Sequence, residues 1–214
     1  MKIIVTGATG FVGHEVLIQC LENSSIETVT VLSRRPIENL THNKLNTIIL
    51  QDFTDYSSVI KKLEGHVACI WCLGGKASQF SSVEEYIKIT HDYALAAAEN
   101  MSTLSKPFTF CYLSGAGADP TESQSFWFEQ TTRYIKGRTE KDLTNLCTLK
   151  DNSLKVHIFR PAGILSASTF NDYVGWLLPS IAISVTKLTN VMLKIATNGN
   201  EKLLWEHAEI INEQ

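Results

Sequence analysis

Seven residues near the amino terminus, Gly7-Ala8-Thr9-Gly10-Phe11-Val12-Gly13, leave the chain little choice of fold. They follow the β-rich run Lys2 to Thr6 (KIIVT) directly and open a helical pattern. A strand that ends in a tight turn, brings its backbone against phosphate and starts a helix close to the sheet has three places where a Cβ obstructs it. Gly7, Gly10 and Gly13 fall at those places. The helix that follows presents unpaired N–H groups and its positive dipole end. Thr9, Gly10, Phe11 and Val12, around the turn at Gly7, are therefore expected to cradle phosphate groups.

Beyond the turn, apolar runs alternate with helical patterns. Strands are expected at 28–33 (TVTVLS), 46–50, 67–73, 108–113 (FTFCYL) and 155–159, and helices at 14–22, 56–63, 83–101 and 126–149. Short strands separated by helices imply right-handed βαβ units and a mostly parallel sheet. The strands lack clean alternation, as expected when helices cover both sheet faces. The expected class is α/β, a doubly wound, mostly parallel Rossmann sheet with helices on both faces and a small C-terminal helical cap. A chain of 214 residues suffices for one core and is short for two. One domain over 1–214 is expected, with about 166–214 forming the cap. The segment 115–125 (GAGADPTESQS) reads as a loop.

A net charge of −3, with no charge run, argues against a nucleic-acid partner. The most membrane-like stretch, Trp176 to Ile195, holds Pro179 and Lys187 and reads as amphipathic helices rather than a span. It is also the candidate surface for a protein partner or a second copy of the chain. Met1 to Thr6 runs straight into the first strand without a basic leader. A cytoplasmic location is expected, with nuclear or mitochondrial ones admitted. Five cysteines, mostly inside apolar runs, read as reduced core thiols. The Cys69-x-x-Cys72 pair lies in an expected strand, where residues three apart point to opposite faces, so no metal or redox centre is expected there.

In a parallel sheet, ligands sit beyond the carboxyl ends of the strands. An NAD-selective site has an acid at the end of the second strand for the ribose 2′-hydroxyl; here the residues are Ser33-Arg34-Arg35-Pro36. Guanidinium groups bind phosphate bidentately and stack on adenine, so Arg34 and Arg35 favour NADP(H) over NAD(H). Asp52 and Phe53, after the third strand, are expected to flank the adenine. Leu73 and Gly74, after the fourth, pass close to the ligand, and Ser114, after the fifth, lies near the nicotinamide.

Together GATGFVG (7–13), SRRP (33–36), QDF (51–53), CLGG (72–75), YLSGAGAD (112–119), YIKGRTEKDL (134–143) and FRPAGIL (159–165) resemble the atypical, epimerase-like branch of the short-chain dehydrogenase/reductase superfamily. The layout is similar to its small Tat-interacting-protein-like and NmrA-like NADP-binding members. The resemblance covers roughly 1–165. It implies a catalytic Ser, Tyr and Lys, the last two spaced YxxxK: Lys binds the nicotinamide ribose and lowers the Tyr pKa, Tyr exchanges the proton, and Ser orients a substrate carbonyl. Ser114 and Lys136 match. The tyrosine position is 132, and it holds Thr132. The resemblance also places Pro161 and Ile164 against the nicotinamide.

Tyr134 is a candidate substitute, although it lies about 200° around the helix from Lys136 at about 100° per residue. Tyr112, Trp127 and Phe128 are candidate pocket walls or core, and His91-Asp92 reads as a solvated surface pair in preference to one facing the cleft. Two functions remain open. One is an NADP(H)-dependent oxidoreductase acting on a small carbonyl or quinone, with Ser114, Lys136 and Tyr134 or water at the chemistry. The other is a non-catalytic NADP(H)-binding sensor or assembly protein, which the missing tyrosine favours. A sugar-nucleotide epimerase needs that tyrosine and a larger C-terminal domain.

Overall fold

In the computed structural model, which describes residues 1–125, 127–151, 153–166 and 180–213, the amino-terminal strand β1 (Lys2–Thr6) lies in a sheet of seven parallel strands. The others are β2 (Thr28–Ser33), β3 (Leu45–Ile49), β4 (His66–Trp71), β5 (Phe108–Leu113), β6 (Leu154–Arg160) and β9 (Leu204–Glu206), in the order β3-β2-β1-β4-β5-β6-β9. β7 (Gly163–Leu165) and β8 (Ala182–Ser184) pair separately. The direction of winding reverses between β1 and β4, and the crevice of a doubly wound sheet opens at that reversal.

Alternate strand residues feed two cores. Ile3, Val5, Ala68 and Ile70 face α1 (Phe11–Glu22) and α5 (Val185–Asn198). Ile4, Cys69, Trp71 and Phe110 face α3 (Tyr93–Met101) and α4 (Gln130–Leu149). Each large side chain so buried contributes about 1.5–3 kcal/mol. The C-terminal helices expected beyond residue 165 are present, and they do more than cap. α5 lies beside α1, with Gln19 Nε2 donating to the Thr186 carbonyl at 3.1 Å, β9 adds the seventh strand, and α6 (His207–Asn212) closes the chain. Val185, Leu188, Met192 and Ile195 are buried in that core, which corrects their expected availability to a partner; residues 176–179 lie outside the described residues.

Several element boundaries differ for local reasons. The expected helix at 56–63 is one 3₁₀ turn, Ile60–Leu63. Asp52 and Asp55 accept the backbone N–H groups of Thr54 and Ser57 at 3.0 and 2.9 Å, a side-chain bonding that competes with helix formation. The expected helix at 83–101 is α2 (Val83–Ile87) joined to α3 through a π-turn, Lys88–Asp92. That turn brings Thr90 and His91 inward. His91 is therefore not solvated: it is 5% exposed, between Asp92 at 2.7 Å and Asp142 of α4 at 2.9 Å. α4 starts at Gln130, not 126, because Glu129 adopts a left-handed backbone, φ 54°. β4 ends at Trp71, so Cys69 points into one core while Cys72 packs against the other.

Two glycines hold the opening turn. Gly7 has φ 69°, and a Cβ there would stand 2.6 Å from the Cys72 carbonyl oxygen. A Cβ on Gly13 would stand 2.2 Å from the Gly7 carbonyl oxygen, because α1 presses directly onto the turn. Gly13→Ala is expected to cost about 2–3 kcal/mol by forcing backbone apart. Differential scanning calorimetry should read this as a Tm about 4–12 °C lower.

Candidate functional site

Because every sheet pairing is parallel, the strand ends at Thr6, Ser33, Ile49, Trp71, Leu113 and Arg160 share one edge. A cavity of about 820 Å³ opens along it, from Gly10–Gly13 past Leu73–Gly75 and Ser114–Ala116 to Pro161–Ile164. That volume suits a bound small molecule or cofactor.

Its floor at one end is the start of α1. The first intrahelical bond there is His14 N–H to Gly10 carbonyl at 2.9 Å, so the N–H groups of Phe11, Val12 and Gly13 have no carbonyl within the helix. The first turn carries no acid to repel an anion. A pyrophosphate fits this cradle. Gly7 and Thr9 shape the turn but do not line the cavity, whereas Gly10, Phe11 and Val12 do.

Leu73, Gly74, Pro161 and Ile164 also line it, in the places expected. Arg34 and Arg35 are exposed beyond β2, at the same edge and outside the cavity. Asp52 lies outside too. Its Oδ1 accepts both donors of Thr54 at 2.8 and 3.0 Å, which holds the carboxyl below its ordinary range, and Lys88 Nζ stands 3.8 Å away. Phe53 is corrected. It is 1% exposed, packed between Trp71 and Tyr93 with ring centroids 6.0 and 5.5 Å away, so its ring cannot flank an adenine.

The catalytic candidates separate. α4 presents Thr132, Lys136 and Glu140, four residues apart and on one face. Lys136 Nζ donates to the Ser114 carbonyl at 2.8 Å. Burial pushes its amine down to about 8, a shift opposed by the nearby Glu140 and Glu129 charges and deepened by Lys76. Ser114 Oγ donates to Glu140, which Arg160 Nε meets at 3.0 and 3.1 Å. This redirects the role expected of Ser114: a hydroxyl whose proton points at Glu140 offers a substrate only lone pairs. The pair is buried, Glu140 at 3% exposure, and Arg160 also reaches Glu206 at 2.7 Å.

Tyr134 is corrected as a proton donor. It does not line the cavity, and its hydroxyl donates to the Gln124 carbonyl at 2.7 Å on the outer side of α4. Tyr112 is core, and burial raises its phenol far above the ordinary range. Trp127 is 99% exposed, and Phe128 lines the cavity mouth. Another phenol, Tyr86, is fully buried behind the wall; it donates to the Gly75 carbonyl at 3.3 Å and is pushed up to about 12.

Four lining residues were not singled out from the sequence for this role: Lys76, Gln79, Glu129 and Arg133. Lys76 follows the glycines expected to approach the ligand, which is a readable signal. Glu129 sits one turn before Thr132, hidden by a helix start placed four residues early. The loop after β5 reaches α4 only because residue 137 is glycine, where a Cβ would stand 2.1 Å from the Asp119 carbonyl carbon.

The sequence pattern of the NAD dependent epimerase/dehydratase family matches residues 3–209. The leucinostatins biosynthesis cluster protein T of Purpureocillium lilacinum is 32% identical over 177 residues, 81% of this chain and 62% of that protein. The mitochondrial protein FMP52 of Debaryomyces hansenii is 27% identical over 149 residues, 68% of this chain and 61% of that protein. The chain thus spans about three fifths of the length of these curated relatives. Among solved structures, yeast methylglyoxal/isovaleraldehyde reductase Gre2 complexed with NADPH superposes with a TM-score of 0.74 at 14% identity, over 96% of this chain and 77% of that one. That likeness is one of fold.

The depressed Lys136 amine has a measurable consequence. Between about 8 and the ordinary 10.5, the unfolded chain holds a proton on this amine that the folded chain has released. Wild-type stability should therefore rise with pH across that window relative to Lys136→Met, and the difference should be flat below it. Urea unfolding midpoints of both proteins against pH check this.

Proposed function

The chain belongs to the NAD-dependent epimerase/dehydratase family, and on that premise we propose that it is an NADP(H)-dependent oxidoreductase acting on a small carbonyl or quinone without the usual catalytic tyrosine. The observation that carries this reading is one continuous cavity joining the anion cradle at Gly10–Gly13 to Lys136 and Ser114. A bound nicotinamide dinucleotide supplies hydride transfer; the protein supplies position, electrostatics and a path for the proton.

In this reading the N–H groups of Phe11, Val12 and Gly13 hold the pyrophosphate. Arg34 and Arg35, in the segment Ser33–Pro36 that holds no acid of its own, receive a 2′-phosphate. Asp52 borders the adenosine end through its polar turn, and Leu73 and Gly74 pass the ribose closely. Lys136 binds the nicotinamide ribose, and Pro161 and Ile164 border the nicotinamide. Phe11, Phe128 and Ala118 give the remaining space apolar walls, which suits a small, largely apolar substrate.

A second reading is a non-catalytic NADP(H)-binding sensor. It is favoured by one observation: among the described residues, no tyrosine lines the cavity. All five cysteines are free, which suits a reducing compartment, and we place the protein in the cytoplasm or inside mitochondria. No helix among the described residues is long and apolar enough to cross a membrane.

Fluorescence titration with NADPH and NADH tests the cofactor. NADPH should bind at least about tenfold tighter, and Arg34→Ala with Arg35→Ala should weaken NADPH by about 10–100-fold while changing NADH little. Equal affinity for the two cofactors would overturn the arginine argument. NADPH consumption with quinones, dicarbonyls and aldehydes then separates the readings. Turnover of one class supports the oxidoreductase; tight binding with no turnover supports the sensor.

A further inference from the structure

The wall where the superfamily places a phenol carries proton chemistry of another kind. Thr132 is 8% exposed, and its Oγ1 donates to Glu129 Oε2 at 2.6 Å while accepting the Ala77 N–H at 2.9 Å. Glu129 stands at the start of α4 with φ 54°, a conformation that costs about 1–2 kcal/mol in a residue with a Cβ. It does not cap the helix with its side chain. The carboxylate instead turns into the cavity wall, 17% exposed, with Lys76 Nζ 3.8 Å from Oε1.

The other candidates for proton exchange are spoken for. Among the described residues that line the cavity, Glu129 is the single carboxylate. Ser114 gives its proton to Glu140. Burial pushes the Cys72 thiol up to about 12. An arginine side chain such as Arg133 offers donors and no acceptor. Lys136 donates to the Ser114 carbonyl and, in the proposed reading, holds the ribose.

Resting on that oxidoreductase reading, we propose that Thr132 and Glu129 form the proton relay of this site, with Glu129 as the group that takes the proton of a substrate alcohol and returns it to a carbonyl oxygen. The hydrogen-bond count fixes the direction. Thr132 Oγ1 has one proton, directed at Glu129, and two lone pairs, one taken by Ala77. The remaining lone pair accepts a substrate hydroxyl; the Tyr86 hydroxyl also reaches Thr132 but gives its own proton to the Gly75 carbonyl. As that hydroxyl proton moves to Thr132, the Thr132 proton moves to the Glu129 carboxylate, and the alcohol carbon gives a hydride to the oxidised nicotinamide. Alcohol, oxidised nicotinamide and carboxylate become carbonyl, reduced nicotinamide and carboxylic acid, and the acid returns its proton to water. Reduction of a carbonyl runs the same steps backward.

Two probes separate this role from a structural one. Phenylglyoxal reduction makes an alkoxide that must be protonated, whereas 9,10-phenanthrenequinone gives a delocalised hydroquinone anion that needs no protein acid. Glu129→Gln keeps the side chain's shape and its acceptor for Thr132 but cannot hold the proton. It should lower kcat on phenylglyoxal about 100-fold or more relative to the quinone. NADPH affinity by fluorescence should stay within about threefold. Thr132→Val should reproduce the effect, and Thr132→Ser should restore the ratio. An equal fall on both probes, no fall on either, or a wild type that reduces the quinone but never phenylglyoxal overturns the relay and leaves the oxidoreductase reading standing. A wild type that binds NADPH and reduces neither probe overturns the oxidoreductase reading, and the relay with it.

Discussion

The carboxyl edge of this sheet is set by a backbone contact between Gly7 and the end of β4. The Cys72 carbonyl oxygen lies where a Cβ on residue 7 would be, and the Gly7 carbonyl lies where one on residue 13 would be. Three segments thus stack with no side chain between them. The Thr6 hydroxyl accepts the Cys72 N–H at 3.2 Å and locks the same junction from the other side. The consequence reaches beyond the turn. The start of α1, whose N–H groups face the cavity, is held rigidly against the loop that continues into Gly74, Gly75 and Lys76. Groups that would hold the two ends of one ligand are therefore placed by a single packing constraint.

Opposite this junction, α4 does the corresponding work with side chains. Its Thr132, Lys136 and Glu140 are tied in turn to Ala77, to the Ser114 carbonyl and to the Ser114 hydroxyl. One helix face thereby fixes the ends of both β4 and β5. The π-turn before α3 supports it from behind, since it buries His91 against Asp142 on the same helix. A π-turn inserts one residue into a helix and redirects the side chains around it, and such turns recur near functional sites. Here it braces the wall that carries the lysine.

The sheet and the glycine turn were legible because their causes are local. Apolar runs of five or six residues make strands, and three glycines at fixed spacing make the turn. The outward direction of Tyr134 was legible from helix geometry alone. What escaped depends on competition between neighbours. Asp52 and Asp55 capture backbone N–H groups and stop a helix that the apolar pattern supports. Phe53 looks like a ligand neighbour by position, yet the aromatic cluster of Trp71 and Tyr93 draws it into the core. β9 was missed because three residues with one buried side chain carry no period. Glu129 was missed because its left-handed backbone ends the helix where propensity continues it.

That last point bears on how a site changes chemistry without changing fold. With a phenol at position 132, one group would both receive the proton and balance the lysine charge as phenolate. With threonine there, the two tasks separate. The hydroxyl is too weak an acid to carry charge, so a carboxylate must stand within its reach, and the left-handed turn at Glu129 puts one there. The lysine charge is then balanced by Glu129 and Glu140 on either side, against Lys76 of the same sign. The two carboxylates offset part of the cost of burying the ammonium, and burial still leaves the amine lowered to about 8. In the proposed relay, the fold sets where proton chemistry can happen, and the residues at 129 and 132 set which group performs it.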